Sequence, residues 1–271
     1  HVLRGDEWLS SAPIHLQLFE VLGQKPPVYG HIAPILKKEG DSKRKFSKRR
    51  DADGHIAYYE AQGIPPRALL EYDMHLINAS YEDWRRGHPD LPLEAYVIDL
   101  NQLSVSGAVF DLAKLHHIAK NEIAGMSASG VLQALLDWSA AFDPALHAVL
   151  SKDPDYALAV LSIDRGTPKP RKDLAQWSDA RRLLGYFWDE CFDPSAIAFP
   201  ANGPDRAFLQ AYVASYDPEE SKDAWFARLK ETAQAFGYAP DRAAAHKESG
   251  RYTGTIADAA AQLRLALTGL D

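Results

Sequence analysis

Helix-start signals recur after residue 55 and restrict the fold of this chain more than any other feature. An aspartate followed directly by a proline occurs at Asp143-Pro144, Asp153-Pro154 and Asp217-Pro218. The aspartate can cap a helix, and the proline then occupies the first helical position, where its missing N–H costs nothing. Asp111 and Ser127 are further candidate caps, and a last helix is predicted over about 255–268, with Gly269 as its stop. The pattern predicts a mainly α-helical structure beyond residue 55.

Apolar residues at helical spacing predict which helix faces are buried. In the segment that starts at Ile64-Pro65-Pro66, four side chains are expected to face inward: Leu69, Leu70, Leu76 and Ile77. A second inward face, ended by Gly237, is expected from Trp225, Phe226, Leu229 and Phe236.

The first 50 residues have a different pattern. Ser11 and Pro13 begin a helix that carries Ile14, Leu18, Val21 and Leu22 on one face and stops at Gly23. The following Val28–Leu36 is the best strand candidate in the chain, although Pro34 argues against a central, fully paired strand. We therefore expect a small α/β portion ahead of the helical part.

Composition excludes several classes of protein. Apolar residues make up 46% of the 271 residues and charged residues 25%, which is ordinary for a folded, non-fibrous chain. No apolar run approaches the roughly 18 residues that span a bilayer, so no membrane association is expected. The single Cys191 excludes an intrachain disulfide and argues against a thiolate metal cage. These features, with no signal-peptide pattern at the start, predict a cytoplasmic protein.

The basic residues are concentrated in one segment. Residues 37–50 contain eight basic and two acidic side chains, a local charge of +6 in a chain whose net charge is −7. Lysines in such a segment could neutralise charge on a polyphosphate, where one well-placed donor is worth on the order of 10²–10³ in rate. By charge alone, a solvated loop or a non-specific contact to a phosphate backbone is the favoured explanation of the segment. Any nucleic-acid binding must use local patches, since the rest of the chain carries −13.

Five sequence blocks favour the phosphate-binding interpretation. The segment Lys45-Phe46-Ser47-Lys48-Arg49 resembles the KMSKS signature of class I aminoacyl-tRNA synthetases. Four other blocks stand in matching order: residues 4–15 (RGDEWLSSAPIH), 58–69 (YYEAQGIPPRAL), 106–111 (SGAVFD) and 263–269 (LRLALTG). Together they resemble bacterial glutamyl-tRNA synthetases over nearly the whole chain. The HIGH motif of that family is missing, so the resemblance implies a C-terminal portion without the HIGH-motif half.

The resemblance implies a fold and a division into regions. The fold is expected to be mainly α, with a small α/β remnant of a Rossmann-type catalytic domain. Residues 1–50 would end the catalytic domain, 51–126 would form a stem-contact region, and 127–271 a helical anticodon-binding region, with a possible subdivision near 192–204.

The resemblance also implies roles for individual residues. Lys48 would bind the ATP phosphates in the transition state, and Lys45 and Ser47 would shape its loop. Arg4 would bind the carboxylate of the substrate glutamate, because a guanidinium fork suits a carboxylate; an ion pair of Arg4 with Asp6 or Glu7 is the structural alternative. Glu7 and Trp8 would line the pocket for ATP and the tRNA terminus, and the backbone of Ile35 and Leu36 would contact adenine. Arg171 and Arg264 would read the anticodon. For each of these two arginines, a plain surface charge is the alternative.

The activity implied is glutamate–tRNA ligation: ATP activates glutamate to an adenylate, which is transferred to the tRNA 3′ end. Mg²⁺ would accompany ATP, no resident metal is expected, and the protein would be a monomer. Without the HIGH half, this chain alone should be inactive. Two alternatives stay open: a non-catalytic tRNA-binding module, and a helical scaffold with a fortuitous signature. Glutaminyl enzymes, which read the anticodon with β-barrels, and the short glutamyl-queuosine enzymes, which lack an anticodon region, fit less well.

Overall fold

The computed structural model describes residues 1–199, 205–248 and 250–270. These residues form two compact units, His1–Ala180 and Arg181–Asp271. Part of the predicted subdivision near 192–204 lies outside the described residues. The three-region division predicted from the sequence stays a prediction.

The first unit opens with short strands around one helix. Strand β1 (Val2–Gly5) pairs in parallel with β2 (Tyr29–Ile32), and helix α1 (Ala12–Val21) connects them. Strands β3 (Leu36–Glu39) and β4 (Ser42–Lys45) form an antiparallel hairpin. Its two-residue turn starts at Gly40, whose φ of 61° lies in the region where glycine carries no steric cost.

Helices form most of the rest of this unit. They are α2 (Ile56–Gln62), α3 (Pro66–Ile77), α4 (Tyr81–Gly87), α5 (Leu112–Gly125), α6 (Ala128–Phe142), α7 (Pro144–Lys152) and α8 (Pro154–Ser162). Aspartate or serine side chains accept backbone N–H bonds at four of their N-termini: Asp111, Ser127, Asp143 and Asp153. The caps predicted at these four positions are confirmed.

A core of six buried residues joins α2, α3 and α5. Its members are Tyr59, Ile64, Ala68, Tyr72, Leu115 and Ala119. The ring of Phe110 packs edge-on against Tyr72, with centroids 5.3 Å apart. The prediction that Leu70 faces inward was wrong, since this side chain is 58% exposed. Ala68 and Tyr72 form the buried stripe of α3 instead.

Gly63 joins α2 to the helices that follow. Its φ of 74° ends α2 in a left-handed cap, and its carbonyl accepts the backbone N–H of Trp177. A Cβ at this position would lie 2.6 Å from Trp177 Cβ and 2.8 Å from Trp138 Nε1. The position therefore requires glycine for both conformation and space.

The second unit contains α9 (Ala180–Leu184), whose first residue still belongs to the first unit, α10 (Arg206–Ser215), α11 (Lys222–Ala235), α12 (Arg242–Lys247) and α13 (Ile256–Thr268). Strands β5 (Tyr238–Ala239) and β6 (Gly254–Thr255) pair in parallel. A buried cluster around Phe208, Leu229 and Leu263 holds α10, α11 and α13 together. Thr255 and Asp258 form a reciprocal capping box at the start of α13, which ends at Gly269 as predicted.

Two expectations for this unit were wrong. Asp217-Pro218 does not start a helix: Asp217 caps a turn by accepting the N–H of Glu219, and α11 begins after Ser221, which serves as its cap. Phe226, predicted to face inward, is 43% exposed, and the ammonium of Lys230 lies 4.5 Å from its ring centre. The buried face of α11 therefore includes fewer residues than the apolar pattern of the sequence predicts.

The mainly helical architecture with small sheets confirms the predicted fold class. Among the described residues, none of the helices combines the length and apolar character needed to cross a bilayer.

Candidate functional site

The basic segment is an ordered hairpin followed by a tight turn. In the hairpin, Leu36 lies opposite Lys45 and Lys37 opposite Arg44. After β4 the chain turns at Ser47, whose carbonyl accepts the N–H groups of Arg50 and Asp51. This turn presents the side chain of Lys48 to solvent.

Asp51 holds the turn to the hairpin. Its buried carboxylate, 5% exposed, accepts two bonds from Arg44 at 2.7 and 2.8 Å and one from the backbone N–H of Ser47 at 2.9 Å. Hydrogen bonding from Arg44, then from Ser47, holds the pKa of Asp51 well below its usual range. Sequence reasoning missed this residue; its signal was a carboxylate that directly follows the basic segment, three positions after Lys48.

The eight basic side chains of the segment divide into two groups. Four form ion pairs: Lys37 with Asp53 and Asp51, Arg44 with Asp51 and Glu39, Lys45 with Asp6, and Arg50 with Glu39. Within the described ranges, the side chains of the other four make no ion pair or hydrogen bond: Lys38, Lys43, Lys48 and Arg49. Lys48, the residue predicted to bind the ATP phosphates, is therefore among the basic side chains of the segment that remain available to a ligand.

Lys45 connects the hairpin to the first strand. Its ammonium lies 2.9 Å from the Asp6 carboxylate, which belongs to the 3₁₀ turn Asp6–Ser11 after β1. The pKa of Lys45 is raised by this bond. Glu7 and Trp8, the next two residues of the same turn, are exposed. The structure thus brings the KFSKR segment and the RGDEW segment together, although about forty residues separate them.

Arg4 is held among rings and not by a carboxylate. It donates from Nε to His31 Nε2 at 3.1 Å and from one terminal nitrogen to His15 Nδ1 at 3.0 Å. Since a guanidinium only donates, both accepting ring nitrogens carry no proton. The guanidinium carbon lies 4.4 Å from the ring centre of Tyr29 and 5.8 Å from that of Trp8.

One group of Arg4 is left available. Its second terminal nitrogen is buried and, in the part of the chain that the structure describes, has no hydrogen-bond partner. The residue lines a cavity of about 420 Å³ together with His15, Phe19 and Tyr29. The predicted alternative, an ion pair with Asp6 or Glu7, is not formed among the described residues, and Asp6 pairs with Lys45 instead.

The backbone around Ile35 and Leu36 is largely bonded within the protein. Leu36 donates to the Ala108 carbonyl at 2.8 Å and accepts from the Phe110 N–H at 2.7 Å, while the Ile35 carbonyl accepts from Phe46. An adenine contact at Leu36 would therefore have to use the second lone pair of its carbonyl oxygen.

The two predicted anticodon arginines lie in different units. Arg171 in the first unit is ion-paired with Asp173 at 2.5 Å and is 20% exposed. Arg264 in the second unit is exposed on α13. No group of three or more histidine, cysteine, aspartate or glutamate side chains suited to a metal ion is present among the described residues.

These features define the class of protein. The model for the catalytic domain of class I tRNA synthetases (E and Q) matches residues 1–115, which contain β1, the hairpin and the KFSKR segment. The fold is similar to a crystal structure of the glutamate-tRNA synthetase from Elizabethkingia anophelis, with a TM-score of 0.59 and 22% identity, covering 100% of this chain and 51% of that one. At this identity the likeness shows the fold alone.

Curated relatives narrow the class to one family. The chain is 39% identical over 274 residues to a glutamate–tRNA ligase of Clostridium perfringens (strain 13 / Type A), covering 99% of this chain and 50% of the relative. It is 37% identical over 287 residues to that of Sorangium cellulosum (strain So ce56), with the same coverage. The chain belongs to the glutamyl-tRNA synthetase family, and it spans about half the length of the curated relatives it matches. This coverage agrees with the prediction from the sequence that the chain is the C-terminal portion of such an enzyme.

Proposed function

We propose that this chain is the part of an ATP-dependent glutamate–tRNA ligase that carries the signature loop and the tRNA-binding helices. One observation carries the proposal: the ion pair between Lys45 and Asp6, which joins the loop of Lys48 to the strand of Arg4. A phosphate-binding cation and a carboxylate-binding arginine must lie near each other when glutamate attacks the α-phosphate of ATP.

In this proposal the chain supplies charge and orientation. Lys48, which has no competing ion pair among the described residues, neutralises charge on the ATP phosphates as pyrophosphate leaves. Lys45 and Ser47 keep the loop in shape through Asp6 and Asp51. Mg²⁺ accompanies ATP as part of the substrate. Glu7 and Trp8 border the ATP and tRNA-terminus pocket, and Ile35 and Leu36 lie against adenine.

Arg4 is suited to bind the glutamate side chain. Its buried terminal nitrogen lacks a partner among the described residues, and a carboxylate would supply one. The rings of Tyr29 and Trp8, whose centres lie 4.4 and 5.8 Å from the guanidinium carbon, and the hydrogen bonds to His15 and His31 limit the movement of the guanidinium. A preorganised fork of this kind loses little conformational freedom on binding.

We further propose that catalysis requires the rest of the relatives' length. Residues 2–28 expose an apolar surface made of Leu3, Leu9, Ile14, Leu18, Val21, Leu22 and Val28, each more than half exposed. Two parallel strands with such a face are normally covered on both sides. A polypeptide corresponding to the other half would cover this surface, and the chain alone would be inactive.

Glutamate-dependent ATP–pyrophosphate exchange tests this proposal. The chain is assayed alone and mixed with the remaining half of the Clostridium perfringens relative. We expect no exchange alone and measurable exchange in the mixture, reduced on the order of 10²–10³-fold by Lys48→Ala. Lys43→Ala is the matched control, since Lys43 is an exposed lysine of the same hairpin without an ion pair among the described residues. Exchange by the chain alone, or equal effects of both variants, would contradict the proposal.

The alternative function is a non-catalytic tRNA-binding module, and the half-length coverage of the relatives favours it. Residues 51–126 would contact the stem and 127–271 the anticodon region, with Arg171 and Arg264 at bases, in a cytoplasmic monomer. Filter binding to glutamate tRNA over a salt series tests this function separately. A binder loses affinity steeply as salt rises, whereas a scaffold with a fortuitous signature shows no saturable binding.

A further inference from the structure

A small cavity lies beneath the signature loop, between residues 46–56 and the helices α2 and α3. Its volume is about 200 Å³. Aromatic and aliphatic side chains form most of its wall: Phe46, Ile56, Tyr59, Leu69 and Phe110. For comparison, a dry cavity of about 150 Å³ can hold a benzene ring. The space fits a molecule with one ring or a comparable apolar body.

One carboxylate in this wall has no compensating group. Asp73 on α3 lines the cavity and is partly buried, and desolvation raises the pKa of its carboxyl to about 6. Among the described residues, no side chain or backbone group donates a hydrogen bond to Asp73 and no cation pairs with it. This contrasts with Asp51 and Asp53 nearby, which both pair with basic residues. A partly buried carboxylate that lines a mostly apolar cavity and has no partner among the described residues is available to a cationic ligand.

We propose that this cavity binds a small organic ammonium ion whose apolar body is about the size of one ring. The ammonium would donate to Asp73, and the body would fill the space between Phe46, Tyr59 and Phe110. Aromatic faces favour a cation nearby, and Phe46 already holds the ammonium of Lys37 at 5.2 Å from its ring centre. The inference does not depend on the proposed ligase function.

Benzylamine and benzyl alcohol test the proposal, because they share a ring and differ in charge. Binding to the full chain is followed at about pH 7.5, where Asp73 is mostly ionised, by amide chemical shifts of residues 46–59. We expect saturable benzylamine binding at concentrations below about 10 mM. Benzyl alcohol should bind about tenfold more weakly, and Asp73→Asn should weaken benzylamine by a similar factor. Asp83→Asn, a change at an exposed carboxylate of α4, is the matched control and should bind like the wild type.

A second variant covers the case in which Asp73→Asn alters the fold. Leu69→Phe adds volume to the cavity wall and should abolish binding of both compounds while Asp73 stays in place. Three results would overturn the proposal: no saturable binding below about 10 mM, equal binding of the amine and the alcohol, or benzylamine shifts that map away from residues 46–59 and persist in Leu69→Phe.

Discussion

The guanidinium of Arg44 and the carboxylate of Asp51 form a bidentate pair, with N···O distances of 2.7 and 2.8 Å, directly beneath the turn that presents Lys48. Asp51 also accepts the N–H of Ser47. One buried carboxylate thus holds both the hairpin and the turn, while Lys48 forms no ion pair among the described residues. The order of the KFSKR segment therefore depends on a residue outside the signature.

Asp51→Asn should loosen this turn. The amide cannot accept two charge-assisted bonds from Arg44 and also the N–H of Ser47, so the segment should open more often. We expect trypsin to cleave after Lys48, Arg49 or Arg50 about tenfold faster than in the wild type, followed by mass spectrometry of early fragments. Asp41→Asn at the exposed hairpin tip is the control. Unchanged cleavage in Asp51→Asn would show that Asp51 does not order the turn.

Asp73 and Asp51 should affect stability in opposite directions as pH changes. The folded-state pKa of Asp73 is raised from 3.8 to about 6, so the free energy of unfolding falls between about pH 4 and pH 6 and then levels off. Two pKa units correspond to about 3 kcal/mol at most. The pKa of Asp51 is lowered, so its contribution is present above about pH 4 and is lost as pH falls further.

Urea denaturation of Asp73→Asn at several pH values measures the first effect. The variant should match the wild type near pH 4 and exceed it by about 2–3 kcal/mol above pH 6, because no charge is then buried. A difference that does not vary with pH would mean that Asp73 is well solvated. Asp83→Asn should follow the wild type throughout, since Asp83 is 81% exposed.

Gly63→Ala should destabilise the first unit strongly. A methyl group there meets Trp177 and Trp138 below 3.0 Å, and the left-handed conformation adds about 1–2 kcal/mol. We expect a total loss of about 3–4 kcal/mol in urea denaturation. Gly166→Ala separates the two causes, because Gly166 has a φ of 72° but open space around its Cβ, and it should cost only about 1–2 kcal/mol. If both variants lost the same free energy of unfolding, steric contact with Trp177 and Trp138 would not contribute to the effect at Gly63.

Arg4→Lys should impair glutamate binding in the mixed exchange assay. Lysine cannot reproduce the fork held by His15, His31 and Tyr29, so the KM for glutamate should rise roughly 10–100-fold with little change in the KM for ATP. Arg86→Lys, an exposed arginine of α4, should leave both constants unchanged. An equal rise in both KM values would indicate a general structural effect and argue against a glutamate contact.

Local chemistry was readable from the sequence. The caps at Asp111, Ser127, Asp143 and Asp153 were predictable because a capping side chain bonds to backbone two or three residues away. The same rule was wrong at Asp217, where an Asx turn competes with a helix start. Leu70 and Phe226 were misassigned because periodicity shows an apolar face but not how wide a stripe its neighbours cover.

The sequence by itself determined the helical architecture and the family, since both depend on short-range patterns and ordered motifs. Only the tertiary structure decided which basic side chains form ion pairs with carboxylates and which remain available to a ligand. Lys37, Arg44 and Lys45 are paired, whereas Lys48 is exposed and, among the described residues, unpaired. Arg4 likewise bonds to His15 and His31, which lie 11 and 27 positions away. Charge pairing depends on distance in space, and residues distant in sequence meet only after the chain has packed.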